Sequence, residues 1–285
     1  MKQSTLPHFI IVGTQKSGTT ALADMLGQHP RIYVPRGEAN FFDKRFDRGL
    51  KYYESFLSPG VTDEQPTRLI VGEKTPGYAI SHQAPTRMFD TAPDAKLIWI
   101  FRDPVKRACS HYWFSIQNGQ DKLSFEDAVN EEGERGNKRL AWTYLRRGYY
   151  AEQIRRFLEY FPREQMLFLL FEQFKTDAEA VLATCTEFLG LGGGRFDYAV
   201  SRTNPTRRPW SVHVQWFAHE RRVKHPLLYR TIRAVNLKRG RTGYPPLDRA
   251  MARRLYDHYA PHNEALADLT SLDLSSWRQE KAPDR

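Results

Sequence analysis

The residues best suited to chemistry lie in the run Gly13-Thr14-Gln15-Lys16-Ser17-Gly18-Thr19-Thr20, which follows a short apolar stretch and opens a helical pattern. A glycine-bounded loop at such a junction lets backbone N–H groups and a helix N-terminus converge on an anion. Lys16 and the neighbouring hydroxyls add further donors. A plain strand-to-helix turn needs a glycine but not this cluster. Gly13 and Gly18 have the spacing of the nucleotide-triphosphate P-loop, G-x-x-x-x-G-K-[ST], yet Thr19 stands where that pattern has its lysine. The lysine lies inside the loop instead, as Lys16. The apolar run ending at Phe101 is followed by Arg102 rather than by an aspartate suited to hold Mg²⁺. A phosphate cradle working without a metal is expected.

The elements that must position this loop are legible as short apolar runs alternating with helical patterns. Phe9 to Val12 reads as a buried strand breaking at Gly13, followed by a helix from near Gly18 that ends before Pro30. Lys96 to Phe101 reads as a second strand, with Pro104 suited to the first turn of the next helix. A helix from about Tyr149 to Tyr160 leads to a strand at Met166 to Leu170, and a further helix covers Ala178 to Leu189. Continuous apolar strands alternating with helices indicate a parallel sheet covered on both faces. The expected fold is α/β and P-loop-like, with a central parallel β-sheet flanked by helices in one domain over residues 1–285. The stretches Gly60 to Pro66 and Gly192 to Gly194 read as ordinary breaks.

Cys109 and Cys185 are too few for a disulfide framework and lack metal-ligand spacing, so both are expected as buried small hydrophobes. The longest wholly apolar runs, Met166 to Phe171 and Leu97 to Phe101, fall far below the roughly 20 residues of a spanning helix. The expected compartment is reduced and cytoplasmic.

The first loop, taken with Phe101-Arg102-Asp103-Pro104 and Ser110, resembles the sulfotransferases that use 3′-phosphoadenosine 5′-phosphosulfate (PAPS) and release the bisphosphate PAP. Phe157, Phe161-Pro162 and Phe188-Leu189-Gly190-Leu191 extend the similarity. The resemblance implies that Thr14 to Thr20 bind the 5′-phosphosulfate and that Arg102 and Ser110 bind the 3′-phosphate. A guanidinium fork suits that dianion. Gly37-Glu38-Ala39-Asn40-Phe41-Phe42, Gly49-Leu50-Lys51-Tyr52-Tyr53 and Gly72-Glu73-Lys74-Thr75-Pro76-Gly77-Tyr78 are similar to the heparan-sulfate branch of that family. By that similarity Glu38 is the catalytic base and Lys74 lies at the reaction centre, while Glu73 is expected only to balance the charge of Lys74. His111 is the rival base. Arg239-Gly240-Arg241, ahead of Tyr244-Pro245, is similar to a basic turn that contacts the cofactor. The branch's disulfide near that turn has no counterpart here. The implied reaction is in-line sulfuryl transfer from PAPS to an acceptor hydroxyl, with Lys16 neutralising charge on the leaving phosphate.

The net charge is +10, and between Ser201 and Arg254 there are 14 Lys or Arg against only Glu220 and Asp248. The rest of the chain is therefore close to balanced. This basic C-terminal segment is expected to complete the cofactor or acceptor site, attract an acidic acceptor, or bind nucleic acid. Arg207, Arg208, Trp210, Trp216, Arg221 and Arg222 mix cations with aromatics as nucleic-acid binders do. No zinc pattern or RNA-recognition signature accompanies them, so nucleic acid is not favoured. The competing readings are a P-loop-like nucleotide kinase or ATPase, needing Mg²⁺ and a lysine at position 19, and a basic nucleic-acid-binding protein. The acceptor is left open among a small molecule, a saccharide, a lipid and a carrier-tethered natural product.

Overall fold

The structure is a computed structural model that describes residues 6–58, 69–192, 194, 196 and 206–277. The breaks expected at Gly60 to Pro66 and around Gly192 to Gly194 lie wholly or partly outside the described residues, as does the start of the basic segment.

Along the chain come strand β1 (Phe9–Gly13), helix α1 (Thr19–Leu26), β2 (Ile32–Tyr33), α2 (Phe41–Lys44), α3 (Leu50–Leu57), β3 (Ile70–Lys74), α4 (Ala84–Thr91) and β4 (Lys96–Phe101). There follow α5 (Pro104–Gln117), α6 (Phe125–Asn130), α7 (Glu132–Lys138), α8 (Tyr150–Leu158), β5 (Met166–Leu170), α9 (Phe171–Thr176) and α10 (Ala178–Phe188). The last elements are β6 (Arg207–Arg208), α11 (Val212–Glu220), α12 (Pro226–Lys238), β7 (Arg241–Thr242) and α13 (Arg249–Thr270). They fall into two compact units, each assembled from two stretches of chain: Met1–Arg102 with Tyr150–Thr203, and Asp103–Tyr149 with Asn204–Arg285.

The first unit is built on a five-stranded sheet in the order β2-β3-β1-β4-β5, with every pairing parallel. Strands buried on both faces must be apolar on both, which is why β1, β4 and β5 stand out in the sequence. On one face Phe9, Ile11, Ile98, Ile100 and Leu169 join Leu22 and Leu26 of α1 and Leu182 and Cys185 of α10 in a single core cluster. On the other, Trp99 meets Phe157 edge-on and Phe101 packs on Tyr150, both from α8. Strand β3 is not legible as a strand, because Ile-Val-Gly-Glu-Lys offers only two consecutive apolar residues. Its pairing with β1, Ile11 opposite Lys74, creates it. From β1 the chain continues to one side of the sheet and from β4 to the other. Their carboxyl ends therefore flank the kind of crevice where such sheets bind ligands.

In the second unit α5 begins at Pro104, as its sequence predicts. Asp103 caps it, accepting hydrogen bonds from the backbone N–H of Val105 (2.9 Å) and Lys106 (3.1 Å), and also accepts from the Tyr256 hydroxyl at 2.8 Å. Val105 packs with Met251, Leu255 and Tyr259 of α13. The basic C-terminal segment, legible only as an extension, forms α11, α12 and the start of α13, with a two-stranded antiparallel ribbon of β6 and β7. Cys109 on α5 and Cys185 on α10 are both buried. Among the described residues no helix is long and apolar enough to cross a membrane.

Candidate active site

The loop after β1 is held open by local bonding. The Thr14 N–H donates to the Ile100 carbonyl at 2.9 Å, the Thr14 and Ser17 hydroxyls share a 2.7 Å hydrogen bond, and the Ser17 N–H donates to the Thr14 carbonyl. Lys16 has φ 72° and Gly18 φ 86°, both in the left-handed region. A side chain at Gly18 would also meet the Phe171 ring at 2.7 Å, so only glycine fits. Lys16 has no such exemption, and its unfavourable backbone is a cost of the kind that collects at functional sites. No side chain caps the first turn of α1, which leaves its N–H groups available to an anion. One end of the Gln15 side-chain amide is buried without a hydrogen-bond partner, which fits a loop that a polar ligand completes.

Arg102, at the end of β4, donates from Nη1 to the Lys16 carbonyl at 3.1 Å, and its guanidinium lies 5.1 Å from the Phe171 ring centre. Its own carbonyl accepts from the Tyr150 hydroxyl at 2.8 Å. Asp103 is engaged in capping α5, and the Arg102 side chain is turned to the loop.

Lys74, at the end of β3, is buried and donates to Glu38 Oε1 at 3.0 Å and to Thr20 Oγ1 at 3.4 Å. Through Thr20 this pair joins the start of α1. The Glu38 side chain retains 41% exposure, so its carboxylate is open to an acceptor from solvent. Lys16, Glu38, Lys74 and Arg102 all belong to the first unit, carried on segments that follow or neighbour β1, β3 and β4.

Glu73 does not balance Lys74. Adjacent residues on a strand face opposite ways, so Glu73 turns into the protein where Lys74 turns to the loop. It is fully buried. It accepts from the hydroxyls of Tyr53 (2.6 Å), Tyr78 (3.0 Å) and Thr75 (2.9 Å). Tyr78 in turn accepts from the Phe41 N–H at 2.9 Å, and Thr75 from the Asn40 N–H at 3.4 Å. Phe41 stacks on Tyr53 with ring centres 4.4 Å apart. The residue beside Lys74 thus fastens the segment following Glu38 to the end of β3, a positioning role the sequence does not show.

Burial pushes the Glu73 carboxyl up from 4.5 to about 7, its hydroxyl donors only partly opposing this and Asp43 adding to it. A carboxyl raised on folding stabilises the fold fully below its unfolded value, and this contribution is lost as pH rises towards 7. Glu73→Gln is therefore expected to flatten the fall in stability between about pH 4.5 and 7. Thermal midpoints of both proteins across that interval measure it. An unchanged slope would contradict the assignment.

In the second unit, Ser110 and His111 are buried on α5, and the His111 ring meets the Tyr144 ring edge-on at 4.9 Å. Arg239, Gly240 and Arg241 form the passage from α12 to β7, with Arg239 and Arg241 exposed. A Cβ at Gly240 would lie 1.9 Å from the Arg208 carbonyl oxygen, so the close approach of β6 requires glycine. Trp216 lies beneath the Lys122 ammonium, 3.9 Å from its ring centre, while Trp210 is exposed. Sequence reasoning missed Tyr53, Tyr78 and Phe171. Tyr53 and Phe171 act on residues distant in the chain, and Tyr78, five residues from Glu73, is brought to it only by the turn after β3.

A parallel sheet with a lysine-bearing, glycine-bounded loop after its central strand defines an α/β protein of P-loop-like architecture. The family described as "Sulfotransferase domain" matches residues 6–204, and the chain belongs to it. Heparan sulfate glucosamine 3-O-sulfotransferase 3B1 of Homo sapiens is 32% identical over 269 residues, covering 94% of this chain and 64% of the relative. Bifunctional heparan sulfate N-deacetylase/N-sulfotransferase 3 of Homo sapiens is 31% identical over 294 residues, covering 96% of this chain and 31% of the relative. The chain spans less than two thirds of the length of the first curated relatives it matches. Among solved structures, a sulfotransferase from Alicyclobacillus acidocaldarius superposes with a TM-score of 0.72 at 27% identity, covering 96% of this chain and all of that one.

Proposed function

We propose that this protein transfers a sulfuryl group from PAPS to an acceptor hydroxyl. The observation that carries the reading is the placement of Lys16, Arg102 and the Glu38–Lys74 pair about the carboxyl ends of adjacent parallel strands. Membership of the sulfotransferase domain family supports it. When bound, PAPS supplies an activated sulfuryl group on a phosphate leaving group.

The residues divide the work as follows. The N–H groups of the loop and of α1 hold the 5′-phosphate, with Thr14, Gln15, Ser17, Gly18, Thr19 and Thr20 forming the cradle. The Lys16 ammonium neutralises charge on the departing phosphate oxygen. Arg102 holds the 3′-phosphate. Glu38 takes the acceptor proton as the hydroxyl oxygen attacks sulfur, and Lys74 fixes the Glu38 carboxylate and orients the acceptor. The buried state of His111 against Tyr144 supports Glu38 as the base. The loop supplies donors and no carboxylate, which suits a site that needs no metal. Positioning and electrostatics provide the catalysis, with no covalent intermediate on the protein.

The acceptor is a hydroxyl-bearing molecule. The named activities of the relatives make a saccharide hydroxyl the first to test, ahead of a lipid, a small molecule or a carrier-tethered product. Residues 1–285 are read as one sulfotransferase domain. A chain with only two cysteines, too few for a disulfide framework, favours a reducing, cytoplasmic compartment.

Thermal shift tests the reading cheaply. Adenosine 3′,5′-bisphosphate without metal is expected to raise the midpoint, the gain reaching about 2.7 kcal/mol when ligand exceeds Kd about 100-fold. ATP with Mg²⁺ is expected to give no comparable shift. A response to ATP with Mg²⁺ and none to the bisphosphate would overturn the proposal.

A further inference from the structure

Helices α11 and α12 form an antiparallel hairpin whose base is pinned and whose tip is bare. At the base, Asn236 of α12 donates from Nδ2 to the Ser211 carbonyl and to Gln215 Oε1, both at 2.8 Å, and its Oδ1 accepts from the Ser211 N–H at 2.9 Å. Asn236 lies near the end of α12 whereas Ser211 and Gln215 lie at the start of α11, so the turn between the helices is at the far end. Every residue from Arg221 to Leu228 is exposed. Val223 is 82% exposed, Leu227 75% and Leu228 50%. One face of α12 continues the bare strip through Thr231, Ala234 and Val235, at helical spacing from Leu227.

Cations frame these aliphatic side chains. From Arg221 to Arg241 there are eight Lys or Arg and no acid. The Arg221 guanidinium lies 3.4 Å from the centre of the Phe217 ring, itself half-exposed. Aliphatic tips this far into water are costly unless something covers them. A second copy of the hairpin is disfavoured, because it would set like charge against like. Nucleic acid would use the cations, but bases stack on aromatic rings and gain nothing from Val223, Leu227 and Leu228. Protein interfaces draw their energy from Trp, Tyr and Arg, with Leu and Val under-represented and Lys depleted. A basic amphipathic element with a bare aliphatic edge matches the boundary between anionic headgroups and acyl chains.

We propose that the α11–α12 hairpin docks the protein reversibly on an anionic phospholipid surface, its cations among the headgroups and Val223, Leu227 and Leu228 entering the acyl boundary. This holds whichever acceptor the candidate active site takes.

The experiment is co-sedimentation of the full chain with vesicles of phosphatidylcholine alone, and of phosphatidylcholine with about a third phosphatidylglycerol. Binding to the anionic vesicles alone is expected. The paired change Leu227→Ser with Leu228→Ser should weaken it by at least about tenfold, and Arg222→Glu or Lys224→Glu each by at least about fivefold. Unchanged thermal midpoints and unchanged stabilisation by adenosine 3′,5′-bisphosphate in these exposed variants would show that fold and nucleotide site are intact. Equal binding to neutral vesicles, or none to either, would overturn the proposal. So would anionic binding that ignores the leucine changes, or duplex DNA displacing the vesicles from a site indifferent to those leucines.

Discussion

Replacing Lys16 by alanine is expected to lower turnover by about 10²- to 10³-fold, the usual cost of removing one donor aimed at charge that develops in a transition state. The loop should survive the change. Residue 16 sits at φ 72°, a conformation no easier for lysine than for alanine, and its anchor to Arg102 runs through the backbone carbonyl. Thermal stability without ligand should therefore be nearly unaltered, which separates a lost ammonium from a broken loop. Lys16→Arg keeps the charge but presents a planar fork where a point charge is needed, and should recover only part of the rate. The measurement is single-turnover transfer of labelled sulfate to an acceptor identified by screening. A Lys16→Ala protein retaining most of its rate would remove the lysine from the chemistry.

Glu38→Gln is expected to cost about 10²- to 10⁴-fold in turnover, the range for losing a positioned general base. Glutamine preserves size and can still accept a hydrogen bond from Lys74 through its carbonyl oxygen, so the local arrangement should persist. Affinity for adenosine 3′,5′-bisphosphate should be unchanged, because Glu38 lies outside the anion loop and its proposed role is towards the acceptor. Loss of rate with intact nucleotide affinity is the diagnostic pair. If most of the turnover remains, the base has been misassigned and His111 becomes the residue to change next, despite its packing against Tyr144.

The two predictions rest on parts of the molecule that differed in how openly the sequence displays them. The Lys16 loop is legible because strand, loop and helix are contiguous: Phe9–Gly13 is apolar throughout, and the donor cluster follows without interruption. Arg102 is legible for the same reason at the end of β4. Glu38 and Lys74 have no such local frame and entered only by resemblance. Strand β3 has two consecutive apolar residues, and it becomes a strand because β1 and β2 pair with it on either side. Glu73 shows the limit most clearly. Beside a lysine in sequence it reads as a counter-charge, but strand alternation turns it into a cluster of Tyr53, Tyr78 and Thr75 contributed from separate elements. The C-terminal hairpin escaped recognition because the apolar residues of α11 and α12 are divided between a buried side and a bare one. Arg230, Arg233 and Lys238 interrupt the pattern on α12, so composition dominates what periodicity should supply there.

A crystal structure of the protein grown with adenosine 3′,5′-bisphosphate tests the central claim most directly. The 5′-phosphate is predicted to sit against the Thr14–Thr20 loop with the Lys16 ammonium in hydrogen-bond contact, and the 3′-phosphate on the Arg102 guanidinium. A nucleotide bound away from Lys16, or a loop left empty at saturating ligand, would contradict it.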